Sequence, residues 1–531
     1  MHFMKKILFI CVLLPILASA QDKVMLVADA HVFAQSLWQS GDAFDEMMVG
    51  QRKMLDLSES AFVALVDSAL AYHPSLVLIP GDLTKDGELA SHEVVVAQLE
   101  RLHAAGIAVL AIPGNHDISG AAHAYNGAEV TSVDNLQDAE WEQMYAVVYD
   151  RVVAKDAASH SYIAEPLPGV SVLGIDASHG MSDGYLSEAT LAWVLAQADA
   201  ATKKGNMLIA MSHWQLLEHA DNGGLILESG RLQNADAVRD SLMAHGVRLI
   251  LTGHMHINSI TTYRDTLNIS GDSIVEISTG SPITYPCPYR WLTISKDRSC
   301  VSVETEQLTA LPNYDNLTAY SREWMAEHAK TLILPLSNRM FGQLQSVIES
   351  YIRSSVPAFA AEMVISMLNA SMPQSPEAKA QLIDKHLGGT VVELYLLHSD
   401  GNEPEYAHAD SLAQALYAGV GALIHELTDA AMTYYPSMQQ PLIDAVLASL
   451  QVPVQSLVED RTHWTSAYYS DCTNDLKLEL NINSAQQNTR LDESHVENGD
   501  MILYDLLGRR VDDVRLLKSG VYIQNGKKIM F

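Results

Sequence analysis

Cysteine is scarce in this 531-residue sequence, which contains only Cys11, Cys287, Cys300 and Cys472. Cys11 lies in an N-terminal segment that we expect to be removed, and the three that remain are an odd number and cannot all pair. The sequence also has no Cys-x-x-Cys pair. We therefore expect free cysteines, and neither a disulfide framework nor a zinc site with thiolate ligands.

Positive charge is also scarce. The sequence has 33 lysines and arginines against 64 aspartates and glutamates, which gives a formal net charge of −31. Because an acidic surface repels nucleic acid and anionic membranes, we expect neither as a partner. A small phosphate ester remains compatible with this charge as a substrate, because bound metal ions set the local field whatever the charge of the whole chain.

Long hydrophobic runs are missing beyond the N-terminus, where no segment of 18 uncharged apolar residues occurs. Lys5, Lys6, the apolar run Ile7–Leu17 and the small residues Ala18–Ala20 predict a signal peptide over residues 1–20, cleaved before Gln21. The apolar run is too short to cross a bilayer, which needs about 20 residues. We expect an exported protein (periplasmic, secreted or at the cell surface) without a transmembrane segment after cleavage; its oligomeric state stays open.

The length of the chain predicts two or three domains. Residues 313–470 are rich in Ala, Leu, Met and Gln with helical spacing, and predict a helical domain of unknown role. Residues 471–531 return to β character as a short tail. In residues 21–312, apolar β-rich runs alternate with helical patterns, which predicts an α/β fold whose sheet is covered on both faces; the runs are Val24–Ala28, Leu76–Ile79, Ile107–Ile112, Val170–Ile175, Met207–Met211 and Val247–Leu251.

Polar side chains follow five of these predicted strands. In an open α/β sheet the carboxyl ends of parallel strands meet at one edge, where functional groups gather. Nitrogen and oxygen donors without thiolate suit two divalent or trivalent cations. Gly81, Gly114 and Gly253 each precede such a residue directly and let the backbone bend sharply. The residues are Asp29, His31, Asp82, Asn115, His116, Asp117, His213, His254 and His256.

The stretches DAH, GD, GNHD, SH and GHMH occur in this order within residues 24–260. In this the sequence resembles the calcineurin-like metallophosphoesterase superfamily, whose five motifs have the same order. The resemblance implies a two-sheet α/β sandwich with helices outside and a dinuclear metal centre. It implies that Asp82 bridges the metals and that His116 sits above them as a non-ligand, with Asp117 beside it. The implied ligands are Asp29, His31 and His256 for one metal, and Asn115, His213 and His254 for the other.

The same resemblance implies a reaction, the hydrolysis of a phosphate ester. A metal-bridging hydroxide attacks the phosphorus, and the two cations neutralise charge on the phosphoryl oxygens. His116 donates a proton to the leaving alkoxide, while Asp117 favours the charged imidazolium. Mixed nitrogen and oxygen ligands admit Fe, Mn, Zn or Co. The sequence thus predicts a metal-dependent phosphoric ester hydrolase.

Local features bear on the substrate without fixing it. Lys85 stands where purple acid phosphatases place a metal-binding tyrosine, so an iron–tyrosinate centre is not expected. The stretch GDLTKDG, residues 81–87, resembles the branch that contains bacterial cyclic-nucleotide phosphodiesterases. Arg52 and Lys53 either reach a phosphate or form a solvated basic pair. A monoesterase, a phosphodiesterase and a non-catalytic surface binding protein stay open as alternatives.

The end of the sequence, residues 504–531, is similar to the C-terminal sorting segments of type IX secretion. It contains YDLLGRRV, then GVYI, then a basic pair. The similarity implies export to the cell surface or attachment there. An ordinary terminal hairpin, with Asn525 and Gly526 in its turn, is the alternative.

Overall fold

The computed structural model describes residues 21–118, 120–178, 184–219, 230–265, 273–401, 409–433, 435–458, 469–471 and 475–482, and four short strands within residues 503–530. The predicted signal peptide, Cys472 and most of the predicted sorting segment lie outside these residues. Within them, Cys287 and Cys300 are free, as expected.

The described residues form twenty-one strands and twelve α-helices. The strands are β1 (Asp22–Leu26), β2 (Trp38–Gln39), β3 (Leu76–Pro80), β4 (Ala108–Ile112), β5 (His123–Asn126), β6 (Glu129–Ser132), β7 (Val152–Lys155), β8 (Tyr162–Leu167), β9 (Val170–Ile175), β10 (Met207–Ser212), β11 (Leu249–Thr252), β12 (Ser259–Arg264), β13 (Ser273–Ser278), β14 (Pro288–Ile294), β15 (Cys300–Gln307), β16 (Tyr469–Asp471), β17 (Lys477–Asn481), β18 (Leu503–Tyr504), β19 (Arg510–Val511), β20 (Val521–Gln524) and β21 (Lys527–Met530). The helices are α1 (Asp42–Val49), α2 (Ser58–Tyr72), α3 (Leu89–Ala104), α4 (Trp141–Met144), α5 (Glu188–Lys204), α6 (Ala235–Ala244), α7 (Leu317–His328), α8 (Ile333–Ser355), α9 (Ala358–Ser371), α10 (Pro376–Asp400), α11 (Ala409–Met432) and α12 (Pro436–Val458).

Two large sheets form the first part of the molecule. The first sheet has the order β17-β15-β14-β1-β3-β4, and the second has the order β16-β12-β13-β11-β10-β9-β8-β7. Strands β1, β3 and β4 run parallel in the first sheet. Strands β9, β10, β11 and β13 run parallel in the second. This confirms the predicted fold class, a two-sheet α/β sandwich with a helical region after it.

The core of the sandwich explains why its central strands are apolar on both faces. One apolar cluster contains Leu26 and Leu78 of the first sheet together with Ile209 of the second, and all three are buried. Neighbouring residues along a strand point to opposite faces. Val77 accordingly faces outward, where it packs near Phe62 of α2. Helices α2 and α3 therefore cover the outer face of the first sheet, and α5 and α6 cover that of the second.

Helices α7 to α12 follow the sandwich and carry an apolar cluster of their own. Its fully buried members include Ile348, Leu368, Ile383, Leu423 and Leu442. In the described part of the chain, no helix combines the length and the apolar character that a membrane crossing needs.

After the helices, the chain returns to the sandwich and adds one edge strand to each sheet. Strand β16 pairs antiparallel with β12, and β17 pairs antiparallel with β15. The buried guanidinium of Arg290 donates to the carbonyl oxygen of Asp475 at 2.7 Å, which anchors the segment between these strands. Part of the sequence interpreted as a tail therefore completes the edges of both sheets.

Candidate metal centre

The predicted ligands converge at one end of the sandwich. Four of them follow strands of the first sheet: Asp29 and His31 follow β1, Asp82 follows β3 and Asn115 follows β4. The other three follow strands of the second sheet: His213 follows β10, and His254 and His256 follow β11. Two groups of ligand atoms result, each within 4.8 Å: Asp29, His31, Asp82 and His256 form one, and Asp82, His213 and His254 form the other. Only Asp82 belongs to both of these groups.

The first group has its donor atoms close enough to share an ion. Nε2 of His31 lies 3.0 Å from Nε2 of His256 and 3.5 Å from Oδ2 of Asp82. Nε2 of His256 lies 3.6 Å from Oδ1 of Asp29. Two donors that are about 2.1 Å from one cation are roughly 3.0 to 3.4 Å apart at octahedral to tetrahedral angles. The group therefore fits a metal ion with small adjustments.

Asn115 lies next to the second group. Oδ1 of Asn115 lies 2.9 Å from Nε2 of His213 and 3.0 Å from Nδ1 of His254. Nε2 of His213 lies 3.3 Å from Oδ2 of Asp82. The other ring nitrogen of His213, Nδ1, is 3.0 Å from the carbonyl oxygen of Pro80 and must be the donor there. In the neutral ring, Nε2 then keeps its lone pair free for a metal.

At His213 burial lowers the pKa, but the charge of Asp82 outweighs it and raises the pKa to about 9 when no metal ion is bound. At the other histidines of the centre, burial gives the protonation behaviour of metal ligands. It lowers the pKa of His254 to about 3 and, together with the charge of Lys53, holds the pKa of His256 well below its usual range. Both imidazoles are therefore neutral near pH 7. Burial also raises the pKa of Asp29 to about 8, against the opposing charge of His213. A carboxylate so deeply buried stays ionised at neutral pH only beside additional positive charge, which a metal ion supplies.

The backbone is strained at most of the predicted ligands. Five of them have positive φ angles: 53° at Asp29, 41° at His31, 51° at Asp82, 71° at His254 and 57° at His256. Residues other than glycine rarely adopt this conformation, which costs on the order of 1–3 kcal/mol each in sparsely populated regions. Such strain persists where the surrounding structure and a function require it. Its concentration at one cluster supports a functional centre here.

Two glycines let neighbouring strands approach the buried carboxylates. A Cβ atom at Gly114 would lie 2.2 Å from Oδ1 of Asp82, and one at Gly253 would lie 2.4 Å from Oδ2 of Asp29. Both distances are too short for non-bonded atoms. The glycines that precede Asn115 and His254 in the sequence therefore serve close packing. Of the three glycines expected to bend the backbone, Gly81 has a positive φ, of 89°.

His116 lies beside the two groups and belongs to neither. Its backbone N–H donates to Oδ1 of Asp82 at 2.9 Å, and its ring centroid is 4.9 Å from that of His31. Its side chain is about one-third exposed, at 32%. The ring can therefore reach both the centre and a bound substrate.

The expected pairing of His116 with Asp117 is wrong. Nδ1 of His116 bonds instead to Oδ1 of Asp86, at 2.8 Å. Asp117 is buried, and its carboxylate accepts hydrogen bonds from the backbone N–H of Thr84 at 2.9 Å and from that of Gly114 at 2.8 Å. Asp117 thus ties together the loops after β3 and β4. Its pKa is raised to about 6, chiefly by burial and then by the charge of Asp82.

The sequence did not indicate a role for Asp86, although this residue lies in the stretch GDLTKDG that resembles the phosphodiesterase branch. Burial raises the pKa of this carboxyl, but hydrogen bonding to His116 and the charge of Lys85 outweigh burial and lower it overall. Nζ of Lys85 contacts Asp86 and lies 5.3 Å from the centre of the Phe33 ring.

Lys53 also reaches the centre. Its Nζ lies 3.5 Å from Nδ1 of His31, on the side of the ring away from Asp82, and the side chain is half-buried. The interpretation of Arg52 and Lys53 as a fully solvated basic pair therefore does not hold for Lys53. The charge of Arg52 also acts on His256.

Comparison with known families agrees with this geometry. Residues 23–258 match the family model described as calcineurin-like phosphoesterase. The match confirms the predicted enzyme class, a metal-dependent phosphoric ester hydrolase, for this part of the chain. Together with the buried cluster, it supports bound metal ions. No curated protein matches the chain significantly.

Solved structures also resemble the chain, at low similarity. A dimetal phosphatase from Danio rerio is 16% identical with a TM-score of 0.39, over 54% of this chain and 96% of that one. A phosphopantetheinyl hydrolase from Mycobacterium tuberculosis is 12% identical with a TM-score of 0.25, over 50% and 91%. A NAD nucleotidase from Haemophilus influenzae is 12% identical with a TM-score of 0.26, over 59% and 60%.

Proposed function

We propose that this protein is an exported phosphoesterase that binds two metal ions and hydrolyses a small-molecule phosphate ester. The observation that carries the proposal is the carboxylate of Asp82, which belongs to both groups of ligand atoms. Two adjacent cations repel each other, and a shared carboxylate offsets that repulsion. In this proposal Asp29, His31 and His256 would hold one ion, Asn115, His213 and His254 would hold the other, and Asp82 would contribute to both.

The chain's own residues also act on the leaving group. When bound, the metal ions supply a hydroxide nucleophile near neutral pH and neutralise charge on the phosphoryl oxygens. Because Asp86 accepts the hydrogen bond from Nδ1 of His116, Nε2 is the ring atom that can donate a proton to the leaving alkoxide oxygen. Asp117 has a different role from the one expected: it holds the loop that carries Asn115 and His116.

Metal analysis tests the count of ions directly. We expect about two ions per chain after saturation with Mn, Zn, Co or Fe, since the nitrogen and oxygen donors admit all four. Removal with a chelator should lower Tm, because a ligand that binds only the folded chain stabilises it by about 2.7 kcal/mol at 100 times its Kd. Elemental analysis and thermal unfolding measure the two effects. Fewer than one ion per saturated chain would favour a non-catalytic binding protein.

Chromogenic esters test the reaction. We expect the metal-saturated protein to release nitrophenolate from para-nitrophenyl phosphate, from bis(para-nitrophenyl) phosphate, or from both. The ratio of the two kcat/KM values separates a monoesterase from a phosphodiesterase, and a cyclic nucleotide assayed in parallel extends the comparison. The absence of turnover of every phosphate ester, in a protein with a full metal complement, would contradict the proposed activity.

The pairing of His116 with Asp86 leads to a further prediction. His116→Asn should lower kcat by roughly 10²- to 10⁴-fold, the usual contribution of a general acid. Asp86→Asn should lower kcat by a smaller factor. The kcat of the double variant should be close to that of His116→Asn alone, because Asp86 acts through the histidine. Steady-state kinetics of the three variants measures this, with unchanged metal content as the control. Losses that multiply in the double variant would show that Asp86 acts independently.

The export signal and most of the sorting segment fall outside the described residues, and both stay predictions. Mass spectrometry of the protein from the outer cell fractions would test both, with a new N-terminus at Gln21 as the expected result for the signal peptide.

A further inference from the structure

A loop between α1 and α2 carries two adjacent cations to the rim of the metal centre. Lys53 reaches it directly, with Nζ 3.5 Å from Nδ1 of His31. Nε2 of that ring faces Asp82 instead, at 3.5 Å. If Nε2 holds a metal, the proton of the neutral ring is on Nδ1. The ring N–H and the ammonium are then neighbouring donors that share no acceptor among the described residues. An anion between or beside them would accept from both.

Arg52 and Lys53 also differ from other basic residues of the described part of the chain in their ion pairing. The chain has 64 acidic residues for 33 basic ones, and arginines such as Arg101 and Arg322 form ion pairs with acidic side chains. Among the residues that the structure describes, no carboxylate forms an ion pair with Arg52 or Lys53. The charges of Asp82 and Asp86 act on Lys53 from a distance, without an ion pair. Two neighbouring cations repel each other, and a negatively charged ligand beside them offsets that repulsion.

A tyrosine of the helical region contacts the guanidinium group of Arg52 and holds it in position. The guanidinium carbon of Arg52 lies 5.8 Å from the centre of the ring of Tyr395, a buried residue of α10. A cation within about 6 Å of an aromatic face is attracted by it. This contact holds a cation of the sandwich domain against a helix that is remote in sequence.

The C-terminal end of α10 is docked firmly beside the metal ligands. Nδ2 of Asn258, two residues after the predicted ligand His256, donates to the carbonyl oxygen of Ser399 at 3.3 Å. The hydroxyl of Tyr285 bonds to Oδ1 of Asp400 at 3.3 Å. A Cβ atom at Gly401 would lie 2.4 Å from the carbonyl oxygen of Asn258, so the two backbones are in close contact. Tyr395 is therefore on a helix whose position relative to the centre is fixed.

We propose that Arg52 and Lys53 form an anion subsite beside the metal centre, which binds a second negatively charged group of the substrate, and that Tyr395 positions Arg52 in it. This inference rests on the proposed function and narrows its substrate class to phosphate esters that carry another carboxylate or phosphate. Guanidinium groups bind both anions in the same bidentate manner. The helical region thereby contributes to specificity through a positioning residue.

Non-hydrolysable probes test the subsite without relying on turnover. We expect the metal-loaded protein to bind para-carboxybenzylphosphonate and para-phosphonobenzylphosphonate about 10-fold more tightly than para-carbamoylbenzylphosphonate, which is neutral at the second position. Arg52→Ala should reduce this ratio of Kd values to near one. Calorimetric titration measures it, and the carboxylate and phosphonate arms show which anion is preferred. A wild-type ratio near one, or a ratio unchanged by Arg52→Ala, would overturn the proposal.

Variants of Tyr395 separate positioning from a merely structural role. Tyr395→Leu should reduce the ratio by about three-fold, since it removes the aromatic face, whereas Tyr395→Phe should retain it. Tyr351→Leu, in the apolar cluster of the same helical region, is the matched control and should leave the ratio unchanged. Equal ratios in the two leucine variants would overturn the role of Tyr395. Failure of the proposed function is distinguishable, because it appears as absent turnover of every phosphate ester.

Discussion

Asp82→Asn should reduce kcat/KM for phosphate-ester hydrolysis by roughly 10³-fold or more, which corresponds to about 4 kcal/mol of transition-state stabilisation. The substitution keeps the size of the side chain and removes its negative charge. Oδ2 of Asp82 faces both His31 and His213, at 3.5 and 3.3 Å, so the loss affects both groups of ligand atoms. An asparagine also offers only one oxygen, and its NH₂ group cannot accept the hydrogen bond from the N–H of His116.

Asp82→Asn should also bind fewer metal ions, so its metal content and its kinetics are measured together. Elemental analysis should give one ion per chain or fewer, whereas kinetics at saturating metal shows whether turnover recovers. Asp67→Asn is the matched control, because that exposed carboxylate on α2 lies outside the metal centre and pairs with Arg101, at 2.6 Å. Activity of Asp82→Asn within ten-fold of the wild type would contradict a bridging role for this carboxylate.

The sequence was informative about the ligands because each one is tied to a local feature. Asp29, Asp82 and His254 follow buried strands by one to three residues, and strand ends of one sandwich meet in space whatever the order of the strands. Gly114 and Gly253 are local signals of the same kind, since each adjoins a predicted ligand and packs against a buried carboxylate. The ligands and the glycines could therefore be predicted without knowing which strands are neighbours in the sheets.

The partner of His116 could not be predicted in this way. Asp117 adjoins His116 in the sequence, but successive side chains in a turn diverge, and this carboxylate points into the interior toward Thr84 and Gly114. Asp86 approaches from a different loop, the one after β3. Which carboxylate faces the ring depends on side-chain directions in two turns, and a one-dimensional pattern does not contain them.

Long-range pairing was equally hidden. Strands β16 and β17 come after the whole helical region, yet each completes the edge of a different sheet. Their sequences indicate β structure but carry no information on the partner strand, because edge pairing depends on backbone groups that all residues share. The contact of Arg52 with Tyr395 is of the same kind: neither residue signals the other, and only the docking of α10 brings them together.

Gly114→Ala should unfold the metal centre, although the substitution adds a single methyl group. The new Cβ would lie 2.2 Å from Oδ1 and 2.4 Å from the backbone nitrogen of Asp82, and one of these contacts is with the main chain. The loops after β3 and β4 must therefore separate, which also strains the hydrogen bond between the N–H of Gly114 and Asp117. We expect a loss of roughly 3 kcal/mol or more in the free energy of unfolding, and loss of metal binding in the chain that still folds.

Denaturant unfolding, elemental analysis and kinetics on the same preparation measure these effects. Gly342→Ala is the matched control: it lies exposed in α8, nothing lies within 4 Å of the added Cβ, and the substitution should stabilise the protein by about 0.5–1 kcal/mol. If Gly114→Ala keeps both its metal content and its activity, the close approach of the two loops is not what holds Asp82 in place. If Gly114→Ala folds with normal stability but loses its metal ions, the added methyl group displaces only the carboxylate of Asp82. The strands behind that carboxylate would then tolerate its displacement.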